Sequence, residues 1–299
     1  VPIVTSIENS AFEGCSLLSN LTFPKIDSIL DSSFTTDNNI IELNLPTLKT
    51  IGSETFYNCK GLKSIILEEC TSIGSSAFSG CNDLENITLP KLTTLGVSAF
   101  QSTSVINVEL NSLTTMYGDN YNRGYQFNSC SKLTHVSMTS ATYIKRSMFI
   151  YCSQLIYIDV PIVTSIENSA FEGCSLFSNL TFPKVSSISS SAFTGNNNIV
   201  KLNFSTLKTI GDSTFYSCQG LKSIYFEECT SISASAFANC YSLESIYLPR
   251  LASLGVSAFQ STGLIKIELN SLTEIRGDGY DSGYQFNGCS KLTHVTMKS

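Results

Sequence analysis

The sequence predicts a solenoid: a chain wound into about thirteen stacked coils, with a parallel β-sheet on one face and turns and short helical segments on the other. Two observations predict it. Phenylalanine recurs at Phe12, Phe34, Phe56, Phe78, Phe100, Phe127, Phe149, Phe171, Phe193, Phe215, Phe237, Phe259 and Phe286, in steps of 22 residues apart from two of 27. Residues 1–140 also align with 160–299 at an offset of 159, with 98 of 140 positions identical. A fixed period in the low twenties with several apolar positions per unit is the signature of stacked coils. One unit cannot bury its own apolar side, so neighbours must share a core. The thirteen phenylalanines are the expected structural core. The longer period groups seven coils into a super-repeat, which predicts one solenoid over 1–299 built from 1–159 and an incomplete second copy, 160–299.

Each coil reads alike. In Leu84-Glu85-Asn86-Ile87-Thr88-Leu89-Pro90, alternation over 87–89 marks a short strand with Leu84, Ile87 and Leu89 inward. Pro90 ends it, because proline has no N–H for the ladder. Leu92 and Leu95 re-enter the core, and Ser98-Ala99-Phe100 turns the chain toward the next strand.

These units carry a family resemblance. Leu243-Glu244-Ser245-Ile246-Tyr247-Leu248-Pro249 and the segment Thr230 to Cys240, TSISASAFANC, resemble the BspA-like, treponema-type leucine-rich repeat, whose pattern is LxxIxLP followed by TSIGxxAFxxC. The likeness covers essentially the whole chain. It implies a leucine-rich-repeat solenoid of the α/β-horseshoe type, β-dominated. It also implies a role in adhesion at the cell surface or outside the cell, as in bacterial and protozoan relatives. The unit here is 22 residues where 23 is usual in the family.

Composition narrows the function classes. Charged residues make up 14% of the chain, against roughly 25% in an average soluble domain. Net charge is −6, from 24 acidic and 18 basic residues, so nothing favours a nucleic-acid phosphate backbone. No apolar run reaches the ~18 residues of a membrane span, so no membrane insertion is expected in this segment. The chain starts at Val1 without a leader pattern, which suggests processing or a longer parent chain. It begins and ends inside the repeat with no polar cap, where capping units are the norm. Continuation into further super-repeats or end-to-end self-association is therefore expected.

The residues that could carry chemistry point away from catalysis. Nine of the eleven cysteines fall three residues after an anchor: Cys15, Cys59, Cys81, Cys130, Cys152, Cys174, Cys218, Cys240 and Cys289. Asp37, Thr103, Asn196 and Thr262 fill that column elsewhere. A buried ladder of free thiols is the expectation, since cysteine behaves as a small hydrophobe with a weak donor. A straight column does not offer zinc its tetrahedron, and parallel Cβ vectors suit a disulfide poorly. Cys70 and Cys229 take leucine positions and read as core fillers. His135 and His294 lie seven coils apart, roughly 34 Å at strand spacing, too far to share a metal or act as a pair. No enzymatic activity, metal or cofactor is expected.

Binding residues are expected on the outward strand positions and in the two long coils. Tyr157, Tyr225 and Tyr247 project from the sheet with the amphipathic character of contact anchors, beside His135 and His294; the rival reading is a solvated sheet face of cross-strand pairs. The insertions at 117–125 and 276–284 are expected to project as loops. They offer Tyr121, Tyr280, Asp119 and Asp278 for adaptable contacts, with a plain surface loop as the rival reading. Calcium at Asp278 and Asp281 is a poor fit, since the first copy keeps only Asp119. Sequons at Asn20, Asn86, Asn179 and Asn203 matter only in a secreted eukaryotic protein. The functional expectation is a binding or adhesion scaffold for a protein or glycan on another cell or matrix. A polymerising structural protein and an intracellular interaction scaffold are the alternatives.

Overall fold

A computed structural model describes residues 4–19, 23–37, 39–277 and 283–297. Two kinds of short strand alternate along the chain. Three-residue strands such as Ser64–Ile66, Asn86–Thr88 and Ser245–Tyr247 carry the sheet face, and two-residue strands such as Ser72–Ile73 and Thr94–Leu95 follow each one. Every pairing is parallel and joins equivalent residues one coil apart, as in Ser64↔Asn86 and Ser72↔Thr94. The coils fall into two compact units, 1–141 with 145–160, and 142–144 with 161–299. In the first, the two-residue strands form a six-stranded sheet and the three-residue strands two three-stranded sheets; in the second, a seven-stranded sheet accompanies three two-stranded ones.

Phenylalanine forms the spine of each unit. Phe12 to Phe149 stack in order in the first and Phe171 to Phe286 in the second, with centroids 5.1–5.7 Å apart and planes within 14°. That spacing exceeds the ~4.8 Å between strands, so the rings slide into the offset stack that their quadrupoles favour. Phe78 is fully buried between Phe56 and Phe100. The 27-residue step from Phe100 to Phe127 keeps this register, because the extra residues leave the stack as a loop. Leu84, Leu92 and Leu95 close the core around the rings.

The expected short helical segments are absent: the described residues contain no helix. The turn before and after each anchor is held by a different device. Ser76, Phe78 and Gly80 donate their N–H groups to Val97, Ala99 and Gln101 of the next coil, at 2.7, 2.8 and 2.9 Å. An α-helix would spend those donors four residues back along its own chain. To aim alternate N–H groups at one neighbour, the residues two before and two after the phenylalanine adopt left-handed backbone: Ser76 has φ 55° and Gly80 φ 77°. The left-handed backbone recurs in every coil, with Ser, Glu54 or Tyr at the first position and Gly, Ser, Asn, Thr or Tyr at the second.

Candidate functional site

The cysteine column lies behind this turn. Among the described residues all eleven cysteines are free, and all but Cys15 and Cys289 are buried. Most thiols of the column have one task. Cys59, Cys81, Cys130, Cys152, Cys218, Cys240 and Cys289 donate Sγ–H to the carbonyl of the preceding anchor phenylalanine, at 2.9–3.3 Å. Asn196 performs the same task with Nδ2 on the Phe171 carbonyl at 3.0 Å. Burial pushes the thiols of Cys59, Cys70, Cys229 and Cys240 up to about 12. Since the thiolate is the nucleophile, these four thiols are poor nucleophiles; at Cys130 desolvation is outweighed by hydrogen bonds with Cys152 and Thr103, which lower the pKa, but that thiol is fully buried. Asp37 departs from the pattern. It is fully buried, neither carboxylate oxygen has a partner, and desolvation raises its pKa to about 6.

The exposed face of the three-residue strands carries the aromatic candidates. Tyr225 and Tyr247 occupy equivalent positions on paired strands, Ser223–Tyr225 and Ser245–Tyr247, and stack with centroids 4.6 Å apart and planes 8° apart. They remain 59% and 48% exposed. Parallel pairing dictates the contact, because equivalent side chains one coil apart point the same way at ring-stacking distance. In the first unit His135 and Tyr157 are also paired neighbours, with centroids 5.9 Å apart at 41°. They line a depression of about 390 Å³ with Asn107, Glu109 and Ser137. Three of its polar groups are engaged by neighbouring side chains: His135 Nδ1 lies 2.9 Å from Thr134 Oγ1, Thr134 Oγ1 donates to Asn107, and Ser137 Oγ donates to Asn111. His294 repeats the first of these contacts with Thr293 at 2.9 Å.

The loop at 117–125 is built around an arginine. Asp119 Oδ1 accepts from the N–H groups of Tyr121 and Arg123, both at 2.9 Å, and its Oδ2 takes the Arg123 guanidinium at 2.8–2.9 Å. That guanidinium sits 4.9 Å from the Tyr121 ring centre and 5.2 Å from that of Tyr125. Desolvation acts to raise the Asp119 pKa, but these hydrogen bonds outweigh it and hold the carboxyl below its ordinary value. Gln126 Nε2 closes the loop base on the Tyr117 carbonyl at 2.7 Å, and Gln285 repeats this on Arg276 at 2.6 Å. Asp119 is thus a positioning residue, while Tyr121, 70% exposed, is the presented group. Arg123 and Gln126 were not among the expected residues; the only hint was that both insertions end in Gly-Tyr-Gln-Phe. Asp278, Asp281 and Tyr280 lie outside the described residues, as do Asn20, Leu21 and Thr22.

Among the described residues no group of three potential ligands could hold a metal ion, and no helix is long and apolar enough to cross a membrane. Stacked parallel coils, a buried aromatic spine and an open sheet face define a leucine-rich-repeat scaffold. The BspA type leucine rich repeat region matches residues 5–123, 49–176 and 164–293. The chain belongs to that family, whose members generally serve as protein-interaction scaffolds and are typically non-catalytic. It is similar to a leucine-rich repeat protein from Bacteroides ovatus (22% identity, 91% of this chain and 88% of that one, TM-score 0.40). It is also similar to a leucine rich cell surface protein from Faecalibacterium prausnitzii (21%, 99% and 83%, 0.47) and to the pneumococcal vaccine antigen PcpA (18%, 98% and 80%, 0.49). Comparison with curated proteins finds no match.

Proposed function

We propose that the chain is a non-enzymatic adhesion scaffold displayed at a cell surface or outside the cell, holding a protein or glycan of another cell or matrix on its sheet face. The observation that carries this reading is the Tyr225–Tyr247 stack, two rings half open to water on a pair of parallel strands. Rings fixed by a neighbour lose little freedom on binding, which favours them as contact anchors. Further candidates are exposed His294 in the same unit and, in the first unit, Tyr157 with His135 and Tyr121 on its loop. The rings, the low charge and the buried thiols all support binding over chemistry. Beads coated with the chain should attach to cultured cells or matrix-coated surfaces. The double variant Tyr225→Ala/Tyr247→Ala should attach at least tenfold less while keeping the same thermal midpoint. Equal attachment by the double variant would remove the sheet face from the function.

A further inference from the structure

We propose that the pocket beside Tyr247 is a subsite for one neutral pyranose unit of a glycan, an inference that rests on the sheet-face reading above and specifies its ligand. The sheet parts at this place. Strand Ser245–Tyr247 pairs with Ser223–Tyr225, but strand Lys266–Glu268 pairs only with His294–Thr296. The coil between Ser245 and Lys266 is one residue short, 21 rather than 22. A pocket of about 500 Å³ opens along this parting, lined by Ser245, Tyr247, Pro249, Lys266, Glu268 and Asn270. That volume lies within the range of small-ligand sites, roughly 300–1,000 Å³.

Three properties of the lining select the ligand. Tyr225 covers one face of the Tyr247 ring, which leaves the other face, on the side of the parting, as an aromatic wall. The negative face of an aromatic ring attracts positively polarised edges, and the C–H face of a pyranose presents a row of them. The polar lining is also uncommitted. Among the described residues the side chains of Ser245, Lys266, Glu268 and Asn270 have no hydrogen-bond or ion-pair partner, although nearby Arg250, Glu228, Lys291 and Glu244 are all paired. The depression beside His135 differs here, because the side chains of Asn107, His135 and Ser137 already have hydrogen-bond partners. Finally, Lys266 and Glu268 carry opposite charges two residues apart on one strand. An anionic ligand would meet Glu268 and a cationic one Lys266. A ring of hydroxyls satisfies both, with the carboxylate and the Asn270 carbonyl accepting while the ammonium and the Asn270 amide donate. An aromatic wall surrounded by unpaired donors and acceptors of zero net charge fits a neutral sugar better than a charged peptide side chain.

The full 299-residue chain should be titrated with a panel of neutral disaccharides: maltose, cellobiose, lactose, N,N′-diacetylchitobiose and mannobiose. Saturation-transfer NMR and intrinsic fluorescence would report binding; with no tryptophan in the chain, the fluorescence belongs to tyrosine. At least one disaccharide should bind with a Kd of roughly 0.1–10 mM, as expected for so few contacts. Tyr247→Ala should weaken it at least tenfold, Tyr247→Phe should keep it within about threefold, and Glu268→Gln should weaken it several-fold, with thermal midpoints unchanged. Absence of binding by every sugar, or binding indifferent to Tyr247→Ala, would overturn the proposal. If bead attachment still depends on Tyr225 and Tyr247 while no sugar binds or competes, the sheet-face reading stands with a protein partner and the sugar subsite falls. If attachment is also indifferent to both tyrosines, the two fall together.

Discussion

Asp37 is the residue at which this chain departs most clearly from its own repeat. Cysteine or asparagine in that column donates to the preceding phenylalanine carbonyl. A carboxylate cannot donate, so Asp37 fits only when protonated. Its folded pKa is raised by desolvation to about 6 from 3.8, and the column neighbour Cys59 stays a neutral thiol, its own pKa pushed up to about 12. The fold therefore binds this proton more tightly than the unfolded chain does. Its contribution to stability is complete below about pH 3.8, is lost as pH rises to about 6, and is flat beyond. Asp37→Asn, which restores the donor without charge, should raise the urea midpoint clearly at pH 7 and scarcely at pH 4; an equal gain at both values would show that Asp37 is not the titrating group. Phe78→Ala, which empties one place in the spine, should cost about 3–5 kcal/mol in the same assay. The buried thiols should react slowly with a maleimide in the native chain and quickly in denaturant, with Cys15 the early exception because it is exposed. Rapid native labelling of Cys81 or Cys218 would contradict a closed column.

At the scale of the coil, strands and turns draw on different kinds of sequence information. The strands were legible because alternation and the phenylalanine period both fix which side faces the core. The turns were not, because their controlling positions hold ordinary residues. Ser10, Ser32, Glu54 and Tyr125 all sit at φ 53–57°, and nothing in a serine or glutamate announces left-handed backbone. The strain, about 1–2 kcal/mol per non-glycine residue, is offset at Ser10, Ser32, Glu54 and Ser76 by the bond each N–H makes to the next coil, as at Ser76 to Val97. A β-branched residue meets a larger penalty there. Ser76→Val should therefore lower stability by about 1–3 kcal/mol, whereas Ser76→Gly should be neutral or slightly stabilising. Equal losses from both would show that the side chain, not the backbone, matters at that position. The same blindness applies to Asp119 and Arg123: spacing placed an insertion at 117–125, but only the fold shows a guanidinium held between two tyrosine rings. The parting beside Tyr247 coincides with a one-residue deletion that looks trivial in sequence, Ser245 to Lys266 spanning 21 residues.

Across the whole molecule, repetition separates stability from display. Within each unit, the anchor phenylalanines stack on one another and most column thiols donate to the preceding phenylalanine carbonyl, leaving the outward strand positions free to vary. Lys49–Asp27, Lys91–Glu69 and Arg250–Glu228 join successive coils at the surface, but exposed pairs of this kind add little stability, so the spine holds the fold. The consequence for function is a division among the exposed rings: those on the three-residue strands should meet the partner, and those in the turns, Tyr151 and Tyr241, should not. Tyrosine iodination read by mass spectrometry, on the chain free and on the chain bound to the cells or matrix it adheres to, tests this most directly. Tyr151 and Tyr241 serve as internal controls, since both are exposed and lie outside the three-residue strands. The account predicts that binding protects Tyr225 and Tyr247 strongly and leaves Tyr151 and Tyr241 as reactive as before. Protection of Tyr151 and Tyr241 with Tyr225 and Tyr247 still fully reactive would contradict it.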